Sequence, residues 1–200
     1  MSSDMSTAYQ EVVISGRKQE ILEEAIGIIA SEGYGKLTMR ALARASGMKL
    51  GALQYHFRTW EDMLRALAAH IANAYRHSFE TFTSGSDSLG LRELLQFILD
   101  DEPGSALHAD SLFPQLWAMA RVEPVMASLL DDIYLEYLDE LEKHLANEGS
   151  KTPRADALVL MSLLEGTTLF VGNDCRWADD AKSVRDAALT LIDSHYGTQD

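Results

Sequence analysis

Residues 38–57 constrain the fold most, because they describe two short helices joined by a tight turn. Thr38 stands where an N-cap is needed, and Leu42 and Ala45 give the helix that follows it a buried face. Gly47 permits the positive φ that a turn of this kind requires. A further helix is predicted to begin near Lys49, so the segment has a helix-turn-helix layout.

The second of these helices is predicted to have one buried and one exposed face. Leu53 and Phe57 are spaced i, i+4 and pack inward together with Met48. The same spacing turns Leu50, Gln54 and Tyr55 towards solvent. A helix about 10 to 12 Å across fits the DNA major groove, where base edges present a readable pattern of hydrogen-bond donors and acceptors.

The charge pattern agrees with a DNA-facing surface. Residues 33–60 contain five basic residues and no Asp or Glu, although the whole chain has a formal net charge of -14. Residues 66–200 hold 9 Lys and Arg against 23 Asp and Glu. A surface that meets closely spaced phosphates has to be free of carboxylates, so the pattern predicts two functional parts.

Residues 21–64, and above all the run TMRALARASGMKLGALQYHFRTWEDML, resemble the N-terminal DNA-binding domain of the TetR family of one-component transcriptional regulators. The resemblance implies an all-helical homodimer. It further implies that the C-terminal helices bind a small molecule and thereby control binding to double-stranded DNA, usually as a repressor.

Residue by residue, the resemblance separates backbone contacts from base contacts. Phosphate-contacting positions are matched by Thr38, Lys49, Tyr55 and His56. Positions that face the bases are matched by Leu50, Gly51 and Gln54. The cations of Arg40 and Arg44 complete the predicted DNA-binding set.

Three positions depart from the family pattern. Lys49 stands where Ser or Thr is usual, so the recognition helix loses an N-cap and gains a cation. Gln54 stands where Tyr is common, which changes the expected base preference. Trp60 replaces a usual Lys, which removes one phosphate contact.

The rest of the chain is helical in period. A fourth helix is predicted from Thr59, its N-cap, to about Thr83, with Asp62 completing a short capping box. Pro124 suits the first turn of a long helix that ends at Gly149. Further helices are predicted from Thr152-Pro153, with Thr152 as the cap, to the Gly172-Asn173-Asp174 break, and over residues 179–195. SGSDS at 84–88 and DDEPG at 100–104 are predicted loops.

The predicted fold is therefore all-α, with about nine helices in total. Residues 11–57 form the three-helix, helix-turn-helix DNA-binding domain. Residues 58–200 form a C-terminal helical bundle for ligand binding and dimerisation, in which residues 58–83 are the connecting helix.

A ligand pocket is predicted inside this bundle, where adaptable and aromatic side chains accompany two polar groups. Its predicted residues are His77, Phe97, Trp117, Met126, Tyr134, Tyr137, Met161 and Glu165. A buried carboxylate at Glu165 needs a partner, which favours a ligand with a hydrogen-bond donor. Periodicity does not distinguish a cavity from solid packing of these rings, so both interpretations stay open.

The last two helices carry apolar stripes that are too extensive for one small bundle to cover, which predicts a homodimer. The predicted interface residues are Leu160, Leu164, Thr167, Val171, Val184, Ala188, Leu191 and Ile192. A two-fold dimer requires a palindromic operator.

Other function classes are disfavoured. Enzyme signatures such as GxSxG, HExxH and GxGxxG do not occur, and no cofactor is predicted. His70 with His77, or His108 with Asp110, could supply two metal ligands, but no metal site is predicted.

The N-terminus is not of the signal-peptide type, the longest apolar run contains Glu165, and Cys175 is the only cysteine. These features predict a cytoplasmic protein without a membrane contact. The alternative function is a helical small-molecule-binding protein or enzyme of the same fold without a DNA role.

Overall fold

A computed structural model describes residues 16–84, 90–100, 109–172 and 175–196. Within these ranges the chain is all helical, without a strand, as predicted. The nine α-helices are α1 Gly16–Glu32, α2 Met39–Ala45, α3 Leu50–His56, α4 Trp60–Ser84, α5 Leu91–Asp100, α6 Ala109–Ala120, α7 Pro124–Asn147, α8 Pro153–Val171 and α9 Ala181–Tyr196.

Helices α1 to α3 form the N-terminal helix-turn-helix unit. Helix α1 ends at Gly33, whose φ of 86° is the left-handed value that glycine adopts without strain. A 3-10 turn, Tyr34–Lys36, follows. The hydroxyl of Thr38 accepts a hydrogen bond of 3.0 Å from the Ala41 amide, so the predicted N-cap of α2 is confirmed.

Helix α4 joins this unit to the bundle. At its start the Asp62 amide donates to the Thr59 hydroxyl at 3.0 Å, and the Thr59 amide donates to the Asp62 carboxylate at 3.1 Å. The predicted capping box is thus confirmed, as is the predicted length of the helix. Since α4 has 25 residues, it is about 37 Å long and packs against both α1 and α7.

The bundle is organised around α7, which contacts α4, α5, α6 and α8. Pro124 occupies the first turn of α7, and Gly149 follows its end with a φ of 87°, both as predicted. Helix α9 packs against α5 and α8. One hydrophobic core extends from Ile21 on α1 to Ile192 on α9, so the N-terminal unit and the bundle share their interior.

Three predicted details differ from the structure. Ala45 is exposed, and Ala43 is the residue buried with Leu42 on α2. The Thr152 hydroxyl does not cap α8, because that end is organised by Ser150, whose hydroxyl donates to Asp156 at 2.5 Å and accepts from the Thr152 amide at 3.0 Å. The last helix begins two residues later than predicted, after a 3-10 turn at Ala178–Asp180. Most of the two predicted loops, part of the predicted break after α8, His108 and residues 11–15 lie outside the described residues.

Candidate nucleic-acid interface and ligand region

The turn between α2 and α3 is built by its glycine. Gly47 has a φ of 64°, and the amide of Met48 donates back to the carbonyl of Ala43 at 2.8 Å. This is the hydrogen-bond pattern of a helix that ends in a left-handed residue. The guanidinium of Arg17 on α1 donates to the carbonyl of Ser46 at 2.6 Å and holds the turn against α1.

The exposed face of α3 is set by what the helix buries. Leu53 is fully buried and Phe57, which follows α3, is 2% exposed, so the predicted inward pair is confirmed. Gln54 is consequently exposed, and Tyr55 is 88% exposed. The Tyr55 ring meets the His56 ring edge to face at 5.6 Å and stays on the surface beside Gln54, which makes Tyr55 a candidate contact.

The remaining predicted DNA-binding residues surround this face. Thr38, Arg40, Arg44, Lys49 and Gly51 are exposed, whereas Leu50 and His56 are half-buried. The three cations make no ion pair with a described residue, so their charge is not neutralised there. Thr38 accepts a bond from the backbone and can still donate its hydroxyl proton to a phosphate.

A half-buried carboxyl group, that of Glu165, belongs to the predicted ligand region. Desolvation raises the pKa of Glu165 on α8 from 4.5 to about 7, and a hydrogen bond from the Tyr134 hydroxyl opposes this shift. The indole N–H of Trp117 on α6 donates to the oxygen of Tyr134 on α7 at 2.7 Å. These three predicted residues thus form one hydrogen-bonded chain across α6, α7 and α8.

The other predicted pocket residues are divided between places. Phe97 and Tyr137 share an aromatic cluster with Phe79 and Phe82, in which the rings of Phe82 and Phe97 stack at 4.1 Å. Met126 and Met161 are buried in the core, whereas His77 is exposed on α4. The structure therefore does not place His77 beside Glu165 as a second interior polar group.

The predicted dimer residues separate into a core set and a surface set. Leu160, Leu164 and Ile192 belong to the core of the protomer itself, and Ala188 is also buried. These four side chains are therefore not accessible to a partner. The surface set contains Leu191, which is 60% exposed, together with the half-buried Thr167, Val171 and Val184.

Sequence reasoning missed two of the apolar residues that are exposed on α8, Val159 and Phe170. Val159, Leu163 and Phe170 recur at i, i+4 and i+11, which places them on one side of this helix. Phe170 also lines a shallow groove between α8 and α9 with Trp177 and Val184. The sequence shows two apolar stripes on α8, one with Val159 and Phe170 and one with Leu160 and Leu164. Periodicity does not tell which of the two stripes faces the protomer core.

Two further observations bear on function classes. Within residues 16–84, 90–100, 109–172 and 175–196, no three His, Cys, Asp or Glu side chains cluster as metal ligands would. In the same ranges, every helix is too short or too polar to cross a bilayer.

The fold is thus that of an all-helical protein with an N-terminal helix-turn-helix domain. Residues 21–67 match the family model described as bacterial regulatory proteins, tetR family. A segment of 85 residues is 35% identical to the HTH-type transcriptional repressor KstR2 of Rhodococcus jostii, over 40% of this chain and 40% of that repressor. The chain spans less than half the length of that curated relative.

Solved structures resemble the chain over nearly its full length. A TetR-family transcriptional regulator from Rhodococcus sp. has a TM-score of 0.72 at 22% identity, covering 92% of this chain and 100% of that one. A transcriptional regulator from Saccharomonospora viridis, in complex with choline, has a TM-score of 0.70 at 19% identity, covering 89% and 95%. Residues 21–67 are thus similar to the tetR family of bacterial regulatory proteins, and the chain as a whole shares its fold with these solved structures.

Replacing Gln54 by Ala tests the division between base and phosphate contacts. The glutamine amide can pair with adenine N6 and N7, so we expect a loss of about 1 to 3 kcal/mol on the best DNA site and relaxed selection at one base position. Tyr55→Phe, the control, should weaken all sequences alike, because phosphates carry no base identity. A binding selection on each variant measures both effects, and an unchanged motif for Gln54→Ala would contradict the base-reading role.

The raised pKa of Glu165 predicts a pH-dependent stability. The folded protein retains this proton up to about pH 7, whereas the unfolded chain releases it near 4.5, so the carboxyl group costs stability as the pH rises between these values. The free energy of unfolding of Glu165→Gln, measured relative to that of the wild type, should therefore increase by on the order of 2 kcal/mol from pH 5 to pH 8. Urea unfolding at both pH values measures the difference, and a constant difference would contradict the prediction.

Proposed function

We propose that the chain is a ligand-responsive transcriptional repressor, which binds operator DNA as a homodimer and is released by a small molecule. The observation that carries the proposal is the exposed face of α3, which is held outward by the buried Leu53 and Phe57 and contains no acid. In this proposal, residues 11–57 read DNA and residues 58–200 bind the ligand and the second subunit, with 58–83 connecting the two. The protein acts in the cytoplasm and is not an enzyme.

The DNA contacts follow from exposure and chemistry. Gln54 reads base edges, and Leu50 and Gly51 lie against them. Nothing lies within 4 Å of where a Cβ of Gly51 would stand, so the bare helix backbone permits a close approach. Thr38, Lys49, Tyr55 and His56 hold phosphates, and Arg40 and Arg44 add positive charge.

The dimer uses the exposed apolar side of α8 together with α9. Val159, Leu163 and Phe170 lie on one side of α8, and Leu191 is the large exposed apolar residue of α9. Covering such a stripe with the same stripe of a second copy gives a two-fold four-helix contact. The two recognition helices then lie about 34 to 36 Å apart, or a multiple of that distance, and read a palindromic operator.

The effector binds near Glu165, in the region that Trp117 and Tyr134 share with it. A carboxylate in an apolar interior is stabilised by a ligand that donates a hydrogen bond or carries a positive charge. The Saccharomonospora viridis regulator, which has the same fold, was solved in complex with choline, a positively charged small molecule, and this supports the proposed class of ligand. In the other interpretation these rings only pack together, and the Trp117 variant below distinguishes the two.

Binding of duplex DNA is the first test of the proposal. We expect affinity to fall steeply with salt concentration, because neutralising each phosphate releases a counterion. A selection from genomic DNA should recover a two-fold symmetric site. A protein with a net charge of -14 and no DNA role would bind no duplex at moderate salt, which is the outcome expected for a ligand-binding protein or enzyme of this fold.

Phe170→Asp tests the dimer surface. A charge at this position, which is 60% exposed in the protomer, should leave the fold intact and shift the protein from dimer to monomer in light scattering at micromolar concentration. Leu135→Asp on α7, at 51% exposure, is the matched control and should remain a dimer. A dimeric Phe170→Asp protein would contradict the proposed surface.

Trp117→Ala tests the ligand region. With a compound that raises the melting temperature of the wild type, we expect this variant to lose ligand-dependent release while its DNA affinity without the compound changes little. The expected coupling in the wild type is about 1 to 3 kcal/mol, or roughly 5- to 150-fold in DNA affinity. Equal loss of both properties, or no change in either, would show that the rings only pack.

A further inference from the structure

Tyr34 lies where the helix-turn-helix unit meets the bundle. It occupies the 3-10 turn after α1, and its backbone N–H donates to the side-chain oxygen of Gln115 on α6 at 3.2 Å. Its hydroxyl donates to the carboxylate of Glu123, the residue before α7. The indole of Trp60 at the start of α4 donates to the oxygen of Tyr34, and the two rings lie 6.5 Å apart.

These contacts fix Tyr34 in both position and direction. The three partners belong to three different segments, so the turn cannot rotate about any one of them without breaking another. Burial and the neighbouring Glu123 raise the pKa of Tyr34 well above its ordinary value. The phenol therefore stays protonated and remains a donor at physiological pH.

The bundle partners of Tyr34 are themselves firmly placed. The carbonyl of Glu123 accepts from the amides of Met126 at 3.0 Å and Ala127 at 3.2 Å, so this residue is part of the start of α7. Its carboxylate makes no capping bond to α7 and is available to Tyr34. Gln115 precedes Trp117 on α6 by two residues, so the same two helices that hold Tyr34 also carry the Trp117–Tyr134 hydrogen bond.

The opposite side of the turn leads directly to the reading helices. Leu37, the residue after the 3-10 turn, is buried, and Thr38 caps α2 immediately afterwards. Between Tyr34 and α2 there is thus no free length of chain to absorb a movement. A shift of α6 or of the start of α7 is passed to α2 and α3.

We propose that Tyr34 is a positioning residue for DNA recognition, through which Gln115 and Glu123 set the angle of the reading helices and therefore the half-site spacing that the dimer accepts. This inference rests on the proposed function as a DNA-binding dimer. A purely stabilising role of Tyr34 makes a different prediction, because loss of stability weakens binding to every spacing by the same factor.

The first experiment measures the angle without DNA. Spin labels at Ala52→Cys on α3 and Leu135→Cys on α7, both at exposed positions, are introduced in the Cys175→Ser chain and diluted with unlabelled protein. Pulsed EPR should give a narrow distance distribution with Tyr34 present. We expect Tyr34→Phe, which keeps the ring, to broaden or shift that distribution, and an unchanged distribution overturns the proposal.

The second experiment measures spacing on DNA. The symmetric site from the genomic selection is made as duplexes whose half-sites are moved apart or together by one or two base pairs. We expect the unmodified chain to lose roughly tenfold in affinity for each step, whereas Tyr34→Phe should lose less than about threefold. If Tyr34→Phe loses as much affinity as the unmodified chain at each altered spacing, the positioning role is overturned.

Two further variants complete the test. Glu123→Ala removes the acceptor without removing a helix cap, so it should reproduce Tyr34→Phe, and the double variant should be no worse than either. Tyr196→Phe is the matched control, because it removes a tyrosine hydrogen bond to the carboxylate of Asp156, far along the chain from α1–α3. A control that broadens the label distances as much as Tyr34→Phe overturns the assignment to Tyr34.

The two experiments separate the inference from its premise. If the unmodified chain binds none of the duplexes, the proposed function is wrong, and the spin-label distances alone decide whether Tyr34 fixes the angle. If it binds with one preferred spacing that Tyr34→Phe retains, the proposed function stands and the role given to Tyr34 is wrong.

Discussion

Helix α4 has to satisfy two hydrophobic environments at once, and the rest of the structure depends on this constraint. Its buried side chains run from Met63 near α1 to Tyr75, whose ring meets Phe113 of α6 edge to face at 5.3 Å. Neither the N-terminal unit nor the bundle can rotate about α4 without opening a packed surface, and packed interiors resist such deformation. Packing on both parts of α4 therefore limits how far the N-terminal unit and the bundle can move relative to each other.

The same three side-chain types form two hydrogen-bonded chains near the C-terminal end of α6. Near the N-terminal unit, Trp60 donates to Tyr34 and Tyr34 donates to Glu123. In the bundle, Trp117 donates to Tyr134 and Tyr134 donates to Glu165. In each of these hydrogen-bonded series, the phenol oxygen accepts from an indole N–H and the phenol O–H donates to a carboxyl group. Both hydrogen-bonding functions of the tyrosine are thus satisfied. The difference is position, since Glu123 begins a helix and Glu165 lies within one.

Local chemistry made much of the N-terminal part predictable. The N-cap at Thr38, the turn at Gly47 and the inward pair Leu53 and Phe57 each depend on residues within a few positions of each other. Such short-range rules determine a helix end or a helix face almost independently of the remaining chain. The long helix from Pro124 was predictable for the same reason.

Long-range pairing was not predictable in the same way. Tyr34 and Glu123 are 89 positions apart, and nothing near either residue indicates the other. Helix α8 has two apolar stripes, and periodicity alone does not say that Leu160 and Leu164 face the protomer core while Val159 and Phe170 face outward. At α8 the polar network of Ser150 and Asp156 replaced the expected cap, because a neighbouring hydroxyl competed for the same bonds.

The separation of charge along the chain gives the molecule a large electric dipole. Residues 33–60 carry five Lys and Arg and no acid, whereas residues 66–200 carry 23 Asp and Glu against 9 Lys and Arg. In the field of a polyanion such a molecule experiences a torque before any contact forms, so the bundle turns away while the basic end turns inward. Encounters in the wrong orientation are repelled, and the search for a partner of opposite charge is shortened without any added affinity for it.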